Sequence, residues 1–172
     1  IILDSIIKIL KNSSVVCEVF KNYDVDLEDI ELFNVYFVSD LDVSARTEKG
    51  IVYININLLD NYDLNDIEKC SQEVGHYICH EISHVLQQIS NSKPTQGSDD
   101  GNYLDNKFEQ ESFNIQSRFL TETMGEEAAK KYIEQVLSHH DLEGKERKEK
   151  KEDLLDTRVP VKAAPTKTKL NY

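Results

Sequence analysis

Residues 67–89 constrain the chain more than any other stretch, because their apolar residues fit one periodicity. Val74, Ile78, Ile82, Val85 and Ile89 recur at helical spacing and form one stripe. His76, His80 and His84 form another, roughly opposite. The pattern predicts one long helix that buries one face and turns its histidines toward a cleft. Asn65 or Asp66 can cap its start.

Inside this helix lies His80-Glu81-Ile82-Ser83-His84, an H-E-x-x-H pattern. Residues four apart on a helix differ by about 40° in azimuth and about 6 Å in height. His80 and His84 can therefore reach one metal ion from consecutive turns. Glu81 stands about 100° round from His80, beside the metal and not on it, where it can take a proton from water. One zinc ion is the expected cofactor, with Glu81 as general base. A surface helix with solvated histidines is the competing reading. It leaves unexplained an acid placed directly after the first of two paired histidines.

A catalytic zinc takes a third protein ligand and keeps one position open. The segment FEQESFNIQSRFL, within a helix expected over 106–122, offers Glu109 and Glu111. Phe108, Ser112, Ile115 and Phe119 define an apolar stripe that contains Glu111, whereas Glu109 lies about 160° away. A carboxylate on a packing face is costly unless it is partnered. A metal would partner it, so Glu111 is the expected third ligand and Glu109 the alternative. An ion pair between Glu111 and Arg118 would satisfy the same carboxylate.

Around these helices the chain reads as helices, then strands, then helices, which is the α+β class. Residues 1–10 and 15–20 are expected as one or two helices, 30–38 and 51–56 as strands, and 126–140 as a further helix. Residues 39–50 read as a polar connection ending in the turn signal Lys49-Gly50. Residues 91–102, NSKPTQGSDDGN, read as a loop of the right length for a cleft lip. The expected organisation is one domain over 1–140 and a charged extension over 141–172. Within the extension, 141–156 is expected as a solvated helix and 157–172 as disordered.

Charge narrows the partners. The chain carries 20 Lys+Arg and 32 Asp+Glu; 9 and 7 of these lie from Asp141 onward, leaving 11 against 25 in residues 1–140. So acidic a body repels phosphate backbones and argues against nucleic acid. No apolar run approaches the roughly 20 residues of a bilayer-spanning helix, so no membrane role is expected. Cys17, Cys70 and Cys79 lack metal-site spacing and read as reduced thiols of a cytoplasmic protein.

The site residues resemble those of the zincin metallopeptidases, and among them the glutamate-ligand branch, the gluzincins. The likeness is nearest to small single-domain members of bacteria and phages, including the ImmA/IrrE-type peptidases. His80-Glu81-Ile82-Ser83-His84 carries it, followed at a 27-residue interval by Glu111 within Glu109-Gln110-Glu111-Ser112, which looks like an E-x-E-A segment. It covers roughly residues 51–120. The resemblance implies a minimal domain with a short twisted sheet packed on the active-site helix and a glutamate helix behind. It implies that residues 51–56 form the cleft's edge strand, to which a substrate backbone adds. It also implies a zinc endopeptidase acting on a protein or peptide.

Two departures accompany it. Ile115 stands where large gluzincins have the acid of E-x-x-x-D, so the group that orients a zinc histidine must be Glu109, Asp105 or a carbonyl. Beyond Leu120 no familiar substrate-binding domain follows. Tyr103 and Arg118 are the candidate donors to a developing oxyanion. His76 is a candidate supporting donor or an extra ligand, or else a solvated wall of the cleft, and His139-His140 reads as surface. The alternative function is a regulatory or binding module that keeps the fold and cleaves nothing, against which the retained Glu81 argues.

Overall fold

The computed structural model describes residues 1–90 and 103–155. The loop expected at 91–102 and the disorder expected at 157–172 lie outside the described residues.

The chain is α+β, mostly helical, with one small sheet. Helix α1 (Ile2–Lys11) buries Ile6 and Leu10. Helix α2 (Ser14–Asn22) starts at Ser13, whose hydroxyl accepts from the Val16 amide at 3.2 Å. The Glu122 carboxylate also receives the Ser14 amide at 2.9 Å and both serine hydroxyls, which fastens this end to the far side of the fold. A 3-10 turn, Leu27–Leu32, follows with Asp26 as its cap and Ile30 buried. The strand expected from residue 30 therefore begins later, as β1 (Asn34–Val38).

The polar stretch 39–50 also holds a strand, β2 (Ala45–Glu48). Lys49 and Gly50 both take positive φ, 50° and 78°, and close a two-residue hairpin to β3 (Ile51–Asn55). Two consecutive positive φ values suit the right-handed twist of paired strands, and glycine makes the second one inexpensive. β3 pairs in parallel with β1 and antiparallel with β2, giving the order β1-β3-β2. Residues 51–55 thus lie at the centre of the sheet and not at its edge, and Ile56, expected in the same strand, opens a 3-10 turn instead. The edge beside the histidines is β2, part of the segment expected to be a mere connection.

Helix α3 (Ile67–Ser90) crosses the whole fold, with the Asp66 carboxylate accepting from the Lys69 amide at 3.2 Å. It is buried on nearly every side. Helix α4 (Lys107–Met124) begins at Asn106, whose side chain accepts from the Phe108 and Glu109 amides. It ends at Gly125, which has φ 99°. Helices α5 (Glu126–His139) and α6 (Gly144–Leu155) complete the order.

Two apolar clusters hold these elements. The larger joins α1, α2, the sheet, α3 and one face of α4 through residues such as Phe20, Val52, Ile82 and Phe119. Full burial of each such side chain contributes roughly 1.5–3 kcal/mol. The smaller gathers Leu104, Phe113, Ile133, Leu137 and Leu154. Leu154 belongs to α6 and is wholly buried, and Arg147 of α6 donates to Glu134 at 2.6 Å and to the Leu142 carbonyl at 3.1 Å. The charged segment after Asp141 is therefore a helix docked through Leu154, with most of its charged side chains exposed as expected. No described helix is long and apolar enough to cross a membrane.

Candidate metal centre

The two clusters meet along the contact between α3 and α4, and the polar residues concentrate there. On α3, His76, His80, Ser83, His84 and Gln87 share one face. On α4, Glu109, Phe113 and Gln116 do the same, seven residues spanning almost two turns. Small side chains bring the helices close, with the Ser83 hydroxyl 2.5 Å from the Ser112 hydroxyl.

His80, His84 and Glu109 form a group whose ligand atoms all lie within 4.8 Å of one another, able to hold a metal ion. The Nε2 atoms of His80 and His84 lie 3.2 and 3.0 Å from the same Glu109 oxygen. All three residues are buried. Two imidazoles and one carboxylate form a donor set that suits zinc, with ligands from two helices and one side open to the cleft.

Glu111, expected as the third ligand, is not in this group. It is buried on the other face of α4, where the Tyr23 hydroxyl donates to it and Gln87 Nε2 lies 3.0 Å away. The apolar stripe that contains Glu111 faces the larger core. Glu109, on the other side, lines the cleft with His80 and His84. Arg118 does not approach Glu111 either, since it pairs with Glu18 of α2 at 2.7 Å and takes no part in the cleft.

Two glutamines outside the sequence expectations hold the histidines. The Gln87 side-chain oxygen accepts from His84 Nδ1 at 2.7 Å, and the Gln116 oxygen accepts from His80 Nδ1 at 2.8 Å. An amide oxygen can only accept, so each Nδ1 carries a proton, and each Nε2 is directed toward Glu109, where its bond to the carboxylate takes a second proton in the metal-free chain. Gln87 Nε2 in turn donates to Glu111 and to the Phe108 carbonyl, both at 3.0 Å. Glu111 thus acts on His84 through Gln87. Each glutamine follows its site by a turn multiple, Gln87 at three past His84 and Gln116 at seven past Glu109, and that spacing was the only available clue.

Glu81 lies beside the triad. Its Oε2 is 3.9 Å from His80 Nε2, while its Oε1 accepts from the Thr47 hydroxyl at 2.9 Å. Thr47 comes from β2, so the edge strand fixes the carboxylate. These groups line a cleft of about 850 Å³ between β2 and α5, with Tyr77, Tyr103, Phe113 and Tyr132 among its walls. Tyr103 bonds Glu109, and its ring stacks on His140 at 5.2 Å. His140, expected at the surface, is therefore a cleft residue. His76 is buried, packed edge-on against Tyr132 at 4.8 Å, and is no solvated wall.

Electrostatics follow the geometry. Burial alone would lower His84, but its bond to the Glu109 carboxylate and that group's charge carry it up to about 9. Burial would raise Glu109, yet the bonds from His80 and His84 hold it far below the usual carboxylate range. Burial, reinforced by His80, pulls His76 down to about 3. Burial pushes the Tyr103 hydroxyl well up, helped by the charges of Glu109 and Glu81.

Comparison with family models, curated proteins and solved structures gave no match.

Proposed function

We propose that the chain is a zinc-dependent endopeptidase of the zincin type, which hydrolyses peptide bonds in a protein or peptide substrate. The observation that carries this reading is the Glu81 carboxylate, held at one oxygen by Thr47 with the other 3.9 Å from His80 Nε2, directly beside the His80–His84–Glu109 group and open to the cleft. A purely structural metal site favours a closed ligand set and needs no such acid.

His80, His84 and Glu109 would hold the ion. Zinc, when bound, lowers the pKa of water toward neutrality and polarises a carbonyl. Glu81 Oε2 accepts the water proton and returns it to the leaving amine. Thr47, bonded to Oε1, keeps Oε2 as the free acceptor. Tyr103 stands at the cleft wall as the candidate donor to the oxyanion. The unpaired Cys17, Cys70 and Cys79 accord with work in the cytoplasm.

The test compares the unaltered chain with Glu81→Gln on a denatured protein substrate, with zinc content measured in both. Retained zinc and loss of hydrolysis in the variant support the proposal. Hydrolysis at the parent rate would sink it.

A further inference from the structure

The group that faces His80 Nδ1 is no acid but a neutral amide, that of Gln116. Gln116 is wholly buried between α3, α4 and α5. Its oxygen accepts from His80 Nδ1 at 2.8 Å, and its nitrogen lies 2.8 Å from His76 Nδ1. The same side chain bonds Tyr132.

An amide can face His80 in either of two ways. With its oxygen toward Nδ1, neutral His80 keeps its one proton on Nδ1, and Nε2 is left to a metal in place of its bond to Glu109. Turned over, it would present N–H to Nδ1 and force that proton onto Nε2, the atom beside Glu109. His80 could then no longer ligate a metal through Nε2. Something must choose between the two orientations, and a carboxylate would face no such choice.

We infer that His76 and Gln116 form a tautomer lock on His80: His76 Nδ1 accepts from the Gln116 amide nitrogen, which keeps the amide oxygen on His80 Nδ1 and His80 Nε2 free for the metal. This inference rests on the zinc-site reading proposed above. It makes His76 a positioning residue that touches no metal, acting through one side chain. Tyr132 packs edge-on against the His76 ring and holds it in place beside the amide.

The test is zinc affinity, measured by chelator competition in four full-length chains: unaltered, His76→Phe, Gln116→Glu and the double variant. Phe keeps the ring that packs on Tyr132 but removes the acceptor. His76→Phe should weaken zinc binding about 10- to 100-fold, the usual effect of losing a group that orients a ligand. Gln116→Glu should bind at least as tightly as the unaltered chain, because both carboxylate oxygens accept from Nδ1 whichever way they face. The double variant should then match Gln116→Glu alone. A merely structural role for His76 would not be rescued by a change at Gln116. If the unaltered chain binds zinc and His76→Phe binds it equally well, or if the double variant is as weak as His76→Phe, the lock is overturned alone. If the unaltered chain binds no zinc, the lock falls together with the function it rests on.

Discussion

Exchanging the two buried glutamates of α4 for glutamine, one at a time, distinguishes a ligand from a residue that acts at a distance. Glu109 presents one oxygen within 3.2 Å of both histidine Nε2 atoms, so Glu109→Gln removes the carboxylate from the group itself. Glu111 reaches His84 only through Gln87, by contacts of 3.0 and 2.7 Å. Losing a group in that supporting position costs about 10- to 100-fold in metal affinity. At about 1.4 kcal/mol per tenfold, that is roughly 1.4–2.7 kcal/mol. Glu111→Gln should fall at the lower end, because an amide oxygen still accepts from Tyr23 and from Gln87. Glu109→Gln should exceed the upper end, with a loss beyond about 100-fold. The assay is competition with a chelator of known zinc affinity at fixed pH, with thermal melts of the metal-free proteins to exclude misfolding. Arg118→Met serves as a control and should leave zinc affinity unchanged, since its partner is Glu18. A larger loss for Glu111→Gln than for Glu109→Gln would refute the assignment.

Three further outcomes follow from the geometry. Thr47→Val should leave zinc affinity unchanged and lower the hydrolysis rate about tenfold or more, read in steady-state assays, because Glu81 loses the bond that orients it while a base is worth about 10²- to 10⁴-fold. Leu154→Ala should destabilise the chain by about 2–5 kcal/mol in denaturant melts with zinc stoichiometry unaltered, since α6 is docked but remote from the ligands. In the metal-free protein the two shifted histidines act with opposite sign. His76 is held below its unfolded value, so its contribution is present above about pH 6.5 and is lost as pH falls toward 3, at about 1.4 kcal/mol per unit; His76→Phe should flatten that part of the stability profile. His84 is held above its unfolded value, so its contribution is present below about pH 6.5 and is lost as pH rises to about 9.

What the sequence disclosed and what it withheld divide along a physical line. Helical spacing alone pairs His80 with His84 and sets Glu81 beside them, because those relations lie within one helix. The choice between Glu109 and Glu111 lies between helices. The stripe argument assumed one buried face, but α4 is packed by α3 on one side and by α5 and α6 on another, so both glutamates are buried and the stripe does not separate them. β2 was hidden because ALA-ARG-THR-GLU, Ala45 to Glu48, is a short polar edge strand whose pairing comes from its hairpin and not from its composition. The docking of α6 rests on one buried leucine in a highly charged helix, too faint a pattern to read. Gln87 and Gln116 have no intrinsic chemistry to announce them; they matter only because the fold sets an amide oxygen against each Nδ1.

The central claim is that His80, His84 and Glu109 hold one catalytic zinc beside Glu81. Zinc content per chain, measured on the purified protein after dialysis, tests it most directly when the unaltered chain is set against His80→Ala and His84→Ala. The account predicts about one zinc in the unaltered chain and essentially none in either variant. Equal zinc content in all three would contradict it.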